Sequence, residues 1–256
     1  MCQLLGMNCN VPTDICFSFE GFQARGGKTD IHADGWGIGF YEGDGSRLFI
    51  DTKPSCESAV AELVRNYPIH SLNTIAHIRK ATHGEISLKN THPFQRELWG
   101  NYWVFAHNGE LKDFNPVLSG QFQPVGDTDS ELAFCYLMDR LSQRFPSARP
   151  TLRQIYAVLA ETSKKIARHG MFNFLLSDGT IFFAHCSTNL HYTIRKAPFK
   201  KAHLVDEDVS VDFAEVTTPN DIVTVIASVP LTDNEEWTKF TEGELILFKG
   251  GLPMFD

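Results

Sequence analysis

Apolar residues in this chain fall mostly into short, strand-length runs bounded by turn residues, with four blocks of helical spacing set between them. Gln3–Met7 is a short apolar run suited to a buried strand. Thr13-Asp14 can cap a short helix carrying Ile15, Phe17 and Phe19, with Gly21 as its stop. Gly35, Gly37 and Gly39 alternate with Trp36, Ile38 and Phe40, which predicts a strand closely approached by other backbone. Arg47–Thr52 pairs back on it across Gly43-Asp44-Gly45. A helix is predicted over 55–66, with Ala59, Val60, Leu63 and Val64 on one face and Pro68 beyond it. Strands follow at Asn73–Ile78 and Tyr102–Ala106, the latter rich in aromatic and β-branched residues. Thr128-Asp129-Ser130-Glu131 and Thr151-Leu152-Arg153-Gln154 read as capping boxes opening two helices, the second stopped at Gly170. Asp178-Gly179 marks a hairpin between 171–176 and 180–185. Further strands are expected at 191–195, 222–227 and 244–248. Strands in runs with helices in separate blocks predict antiparallel sheets carrying helices on their outer faces, an α+β chain. No linker-like stretch divides residues 1–256, so one domain is expected.

Composition narrows the chemistry. The 256 residues are 43% hydrophobic and 21% charged, as in ordinary globular chains. A formal net charge of −8 argues against a broad surface for nucleic acid or anionic membrane. No run approaches the ~20 apolar residues of a membrane span, and the N-terminus lacks the regions of a secretory signal. Six cysteines are scattered without a CxxC pair, which fits a reducing, cytoplasmic setting and no disulfide framework. Ten histidines show no HExxH and no His/Cys pair at ligand spacing, so neither a metal nor another cofactor is expected. The glycines after Asp34 depart from the dinucleotide fingerprint and precede no helix signal.

Four places carry candidate chemistry. Cys2 follows the initiator Met, whose removal would leave one residue holding a thiol nucleophile and an α-amine that titrates at about 7.7–8.0. By position alone Cys2 reads sooner as an ordinary small apolar residue opening a strand. Arg79, in Ala76–Gly84, stands where a strand runs into a polar turn; arginine is a bidentate partner for a carboxylate, and also a common salt-bridge residue. His107-Asn108-Gly109 is either a plain turn or a side-chain amide beside a glycine N–H, two donors converging as a tetrahedral oxyanion requires. Asp127-Thr128-Asp129 suits a helix N-terminus, or else receives a substrate ammonium. Taken together, a nucleophile with its own base, an oxyanion hole, a carboxylate clamp and an ammonium clamp describe a site for a free amino acid with a reactive side-chain acyl group, with glutamine as the obvious candidate.

Cys2, His32-Ala33-Asp34-Gly35-Trp36-Gly37, the His77–Gly84 run, His107–Leu111 and Asp127–Glu131 follow one another as in the class II glutamine amidotransferases of the N-terminal nucleophile hydrolase superfamily. The chain resembles in particular their stand-alone bacterial YafJ type, and is similar to the γ-glutamyl hydrolases of ergothioneine and glutathione metabolism. The resemblance covers the first half closely and the second more loosely. It implies a four-layer αββα sandwich of two stacked antiparallel sheets flanked by helices. It also implies roles: Cys2 Sγ attacks the glutamine side-chain amide, the Cys2 α-amine shuttles the proton, and the Asn108 side chain and Gly109 N–H hold the oxyanion. Arg79, helped by Thr82 and His83, clamps the substrate carboxylate, and Asp129 receives the α-ammonium. A thioester then hydrolyses to glutamate. Lys80 stands where the family often has an aromatic residue, and His32 and Asp34 are expected to serve structure. No synthetase domain is expected after Gly250-Gly251, so the ammonia is expected to pass to a separate partner subunit or to water. Two other functions compete with this reading: hydrolysis of γ-glutamyl peptides or conjugates, and a catalytically silent binding module. Segments 25–33 and 84–99 are candidates for a lid.

Overall fold

The computed structural model describes residues 2–81 and 85–254. In chain order the first strands are β1 (Gln3–Thr13), β2 (Trp36–Glu42), β3 (Gly45–Asp51), β4 (Ser71–Ile78), β5 (Phe94–Leu98) and β6 (Asn101–Asn108). There follow β7 (Asn173–Ser177), β8 (Phe182–His185), β9 (His191–Lys196), β10 (Lys201–His203) and β11 (Ser210–Asp212). The last are β12 (Ile222–Ala227), β13 (Thr238–Lys239), β14 (Leu245–Lys249) and β15 (Leu252–Pro253). Among the described residues five α-helices accompany them: α1 (Cys16–Ala24), α2 (Ala59–Asn66), α3 (Asp129–Arg144), α4 (Leu152–Ile166) and the short α5 (Phe213–Val216).

One sheet has the order β13-β9-β12-β1-β4-β2-β3, the other β15-β14-β8-β7-β6-β5, and every pairing in them is antiparallel. Side-chain alternation along each strand assigns the faces. In β1, Leu5, Met7 and Cys9 pack with Phe19 and Phe22 of α1 and Val64 of α2, while Leu4 turns the other way. Leu4 joins Ile75, Val104, Ala106, Leu175, Phe182 and Ile226 in a core between the two sheets. On the far side of the second sheet, Trp103, Phe105 and Phe174 pack on Phe134 and Leu137 of α3 and on Ile155 and Leu159 of α4. Phe105 and Phe134 stack with ring centroids 4.9 Å apart and nearly parallel planes, 3° between them. The expected αββα layering is therefore present, and each layer boundary is an apolar face that alternation or helical spacing put into the chain.

Several local expectations need correction. α1 runs past Gly21 to Ala24, because a Cβ at position 21 would lie only 3.0 Å from Leu204 Cδ2, so the glycine serves close packing and not a stop. The helix expected over 55–66 is broken: Ser55–Glu57 is a 3-10 turn, and Ser58 caps α2 by accepting from the Ala61 N–H. At α3, Thr128 accepts from the Glu131 N–H, but Glu131 reaches to the Gly126 N–H and to Arg96 instead of closing the box. The box at α4 is complete. β5 lies inside the segment expected as a loop over 84–99; it pairs with β6 from Phe94↔Phe105 to Leu98↔Asn101.

Candidate active site

The strand faces that build the inter-sheet core also bring the candidate residues to one end of it. Cys2 shares the parity of Leu4, so it lies on the inter-sheet side just before β1 begins. Asn108 shares the parity of Val104 and Ala106 at the end of β6. Arg79 follows β4 with the parity of Ile75 and His77.

Cys2 is half-buried at a cavity of about 290 Å³. Asn108, Ser228, Lys80 and His32 stand on the same wall. The backbone of Lys80 serves the sulfur in either protonation state. Its N–H donates to Cys2 Sγ at 3.2 Å, and its carbonyl lies 3.4 Å away to accept from a thiol. Burial pushes the Cys2 thiol up from its ordinary range; the Lys80 N–H and the positive charge of Arg79 pull the other way.

Asn108 is 4% exposed. Its Nδ2 donates to Ser228 Oγ at 3.2 Å, and Ser228 Oγ also accepts from the Leu4 N–H at 3.0 Å. β6, β12 and β1 are thus tied at the point where Cys2 emerges. Asn173 secures the same place from β7: its Nδ2 donates to the Asn108 carbonyl at 3.0 Å, and its Oδ1 accepts from the Ser187 and Thr188 N–H groups. Sequence reasoning missed both Ser228 and Asn173, since nothing local distinguishes a serine or asparagine at a strand end from any other.

Gly109 has no room for a side chain. A Cβ there would fall 1.8 Å from the Met171 carbonyl oxygen and 2.6 Å from His107 Nε2. His107 Nε2 donates to that same carbonyl at 3.0 Å, which leaves Nδ1 to accept from Ser130 Oγ at 2.8 Å. The His107 ring therefore fastens the end of β6 to the first turn of α3. Gly109→Ala is expected to cost about 3 kcal/mol or more by forcing apart Met171 and His107. Thermal melting of the variant against the parent checks this, and an unchanged Tm contradicts it.

Asp129 opens α3. Its Oδ2 accepts from the Leu111 N–H at 2.7 Å and its Oδ1 from the Ser130 N–H at 2.8 Å. Ser130 Oγ also lies 3.3 Å from Oδ1; a carboxylate offers about four lone-pair positions, so acceptor capacity remains for a ligand. Arg79 is 4% exposed, with Nη1 donating to the Glu85 carbonyl at 3.3 Å. Neither Arg79 nor Asp129 is on the wall of the Cys2 cavity. The structure thus groups Cys2 with Lys80, Asn108 and Ser228, and sets the two expected clamps to one side. Thr82 and His83 lie outside the described residues. Among the described residues, no group of three or more His, Cys, Asp and Glu is placed to hold a metal ion, and no helix is long and apolar enough to cross a membrane.

The family model for class II glutamine amidotransferases matches residues 1–255. The chain belongs to this family. It is 54% identical over 248 residues to the Escherichia coli K12 protein named "Putative glutamine amidotransferase YafJ", covering 97% of each chain. It is 53% identical to a Haemophilus influenzae protein whose name reads "Putative glutamine amidotransferase", covering 98% of this chain and 85% of that one. A crystal structure described as a predicted glutamine amidotransferase from Pseudomonas aeruginosa superposes with a TM-score of 0.80 at 45% identity, over 99% of this chain and all of that one. As a class II glutamine amidotransferase the protein is an enzyme of amide hydrolysis and transfer, and of the candidate residues Cys2 and Asn108 share one cavity wall.

Proposed function

We propose that this amidotransferase cleaves the side-chain amide of glutamine through a thioester on Cys2. Cys2 Sγ adds to the amide carbon, and the oxyanion is received by Asn108 Nδ2 and the Gly109 N–H. The Cys2 α-amine, uncapped once Met1 is removed, passes the thiol proton to the departing ammonia. Water then attacks the thioester carbon, glutamate leaves, and the thiol is restored. Arg79 and Asp129 hold the substrate carboxylate and ammonium, with Thr82 and His83 assigned beside Arg79. The observation that carries this reading is the half-buried Cys2 sulfur on a cavity wall shared with Asn108, bonded by a backbone N–H that favours its thiolate. The whole chain acts as one catalytic unit, and the ammonia goes to a separate acceptor subunit or to solution.

The test is release of glutamate and ammonia from glutamine by protein freed of Met1, combined with labelling by a glutamine-like diazoketone. Turnover and a single adduct on Cys2 are expected. An adduct on Cys56 or Cys135 with Cys2 unmodified overturns the assignment, as does Met1 on most molecules purified from the native host. A second reading, hydrolysis of γ-glutamyl peptides, draws support from the apolar rim of the cavity. Ile31 and Val229, 71% and 43% exposed, both border it. Comparing glutamine with γ-glutamyl dipeptides separates the two; dipeptide turnover well above glutamine turnover favours the second.

A further inference from the structure

β2 and β4 pair up to Trp36↔Ile78, and their exchange continues beyond the last strand residues. The Arg79 N–H donates to the Gly35 carbonyl at 2.8 Å, and the Asp34 N–H donates to the Arg79 carbonyl at 3.2 Å. In an antiparallel ladder successive residues turn their N–H groups alternately to one neighbouring strand and to the other. Lys80 accordingly turns its N–H away from β2 and toward β1, where the acceptor is Cys2 Sγ at 3.2 Å. The Ala81 N–H turns back, and its acceptor is a side chain, Asp34 Oδ2, at 2.8 Å. Lys80 is therefore bracketed by two residues, Arg79 and Ala81, both bonded to the segment that carries Asp34 and Gly35. The amide that meets the sulfur belongs to the residue between them.

We propose that Asp34 is a positioning residue for the nucleophile: its carboxylate pins the Ala81 N–H and so holds the Lys80 N–H on Cys2 Sγ. Asp34 is not on the wall of the Cys2 cavity. It acts through the turn that follows β4, and the inference rests on Cys2 being the nucleophile. A carboxylate acting merely by its charge has the opposite effect, because a negative field disfavours a thiolate. Positioning and field are therefore distinguished by sign. Loss of Asp34 as an anchor weakens the sulfur's hydrogen bond and raises the thiol pKa, whereas loss of its charge alone lowers it.

The experiment follows alkylation of Cys2 by iodoacetamide from pH 6 to 10, read by peptide mass spectrometry, in the full chain and in Asp34→Ala and Asp34→Asn. For Asp34→Ala the midpoint is expected to rise by about one pH unit, slowing alkylation at pH 7 about tenfold. Asp34→Asn keeps an acceptor oxygen and is expected to stay within about threefold of the parent. With glutamine, kcat is expected to fall by a larger factor than KM rises. A midpoint in Asp34→Ala that is unchanged or lowered overturns the proposal. Asp34→Leu, similar in shape and without an acceptor, replaces Asp34→Ala if the latter does not fold. If neither folds, hydrogen exchange at Ala81 in the parent decides: protection supports the pinned amide, and free exchange overturns it. Alkylation needs no substrate, so a midpoint raised in Asp34→Ala, with a parent that leaves glutamine intact, refutes the assigned reaction and supports the role of Asp34. A parent that hydrolyses glutamine, with an unshifted midpoint in Asp34→Ala, refutes only that role.

Discussion

Cys2→Ala is expected to lower glutamine hydrolysis by at least about 10⁴-fold while leaving the fold in place. Removing a nucleophile deletes the covalent route and leaves only the oxyanion donors and substrate binding, and losses for nucleophiles in other hydrolases reach about 10⁶ in kcat. The structural cost is small for two reasons. The sulfur makes its hydrogen bonds to the backbone of a single residue, Lys80, and the residue sits before β1 begins, outside the paired registers. The loss of one such bond is worth about 1 kcal/mol. Alanine is also small enough for the preceding Met to be trimmed as before, so the α-amine remains in the variant. The measurement is glutamate release from glutamine by parent and variant of matched Tm. Residual activity within about a hundredfold of the parent places the chemistry on another group.

The second large effect is acid lability arising from buried imidazoles. His77 and His92 face each other with ring centroids 4.2 Å apart, both buried, and neither ring nitrogen of His92 has a hydrogen-bond partner among the described residues. Burial pushes His77 down to about 3, with the neighbouring His107 imidazole and the positive charge of Arg79 adding to it. Burial likewise pushes His185 down to about 4, and lowers His92 and His107. The sign follows from proton counting. Between the unfolded value near 6.5 and the folded values, the unfolded chain binds protons that the folded one refuses, so stability falls as pH falls. Each such histidine removes about 1.4 kcal/mol per pH unit, for His77 until about pH 3. Two of them at pH 4.5 remove about 5 kcal/mol, as much as the whole stability of a marginal domain.

Urea unfolding at pH 7, 6 and 5 is therefore expected to show steeply declining stability. His77→Phe is expected to flatten the decline by about 1.4 kcal/mol per unit, because it removes one proton from the balance. A variant as acid-sensitive as the parent shows that His77 is not among the groups responsible.

The local pattern of this chain was enough to announce most of its elements and its family. The apolar run at 3–7, the alternation in 36–41, the Thr151 capping box and the Asp178-Gly179 turn each depend on neighbours in sequence, and each appears in the structure where expected. Cys2, Arg79, Asn108, Gly109 and Asp129 stood out because their motifs are short and contiguous. What lay beyond reach were relations between residues far apart in the chain. Ser228 and Asn108 are 120 positions apart, yet one hydroxyl joins them to β1. The stop expected at Gly21 failed because Leu204, nearly two hundred residues on, needs that space. β5 was invisible because an edge strand of five residues takes its order from β6 and not from its own propensity. Asp34 offered no chemical role in sequence, since its role depends on the direction in which the Ala81 N–H points, and only the register of β2 against β4 sets that direction. Sequence determined which faces are apolar and which residue types are present. Tertiary structure decided which of those residues share one end of the inter-sheet core, because hydrogen-bond register and close packing act across space rather than along the chain.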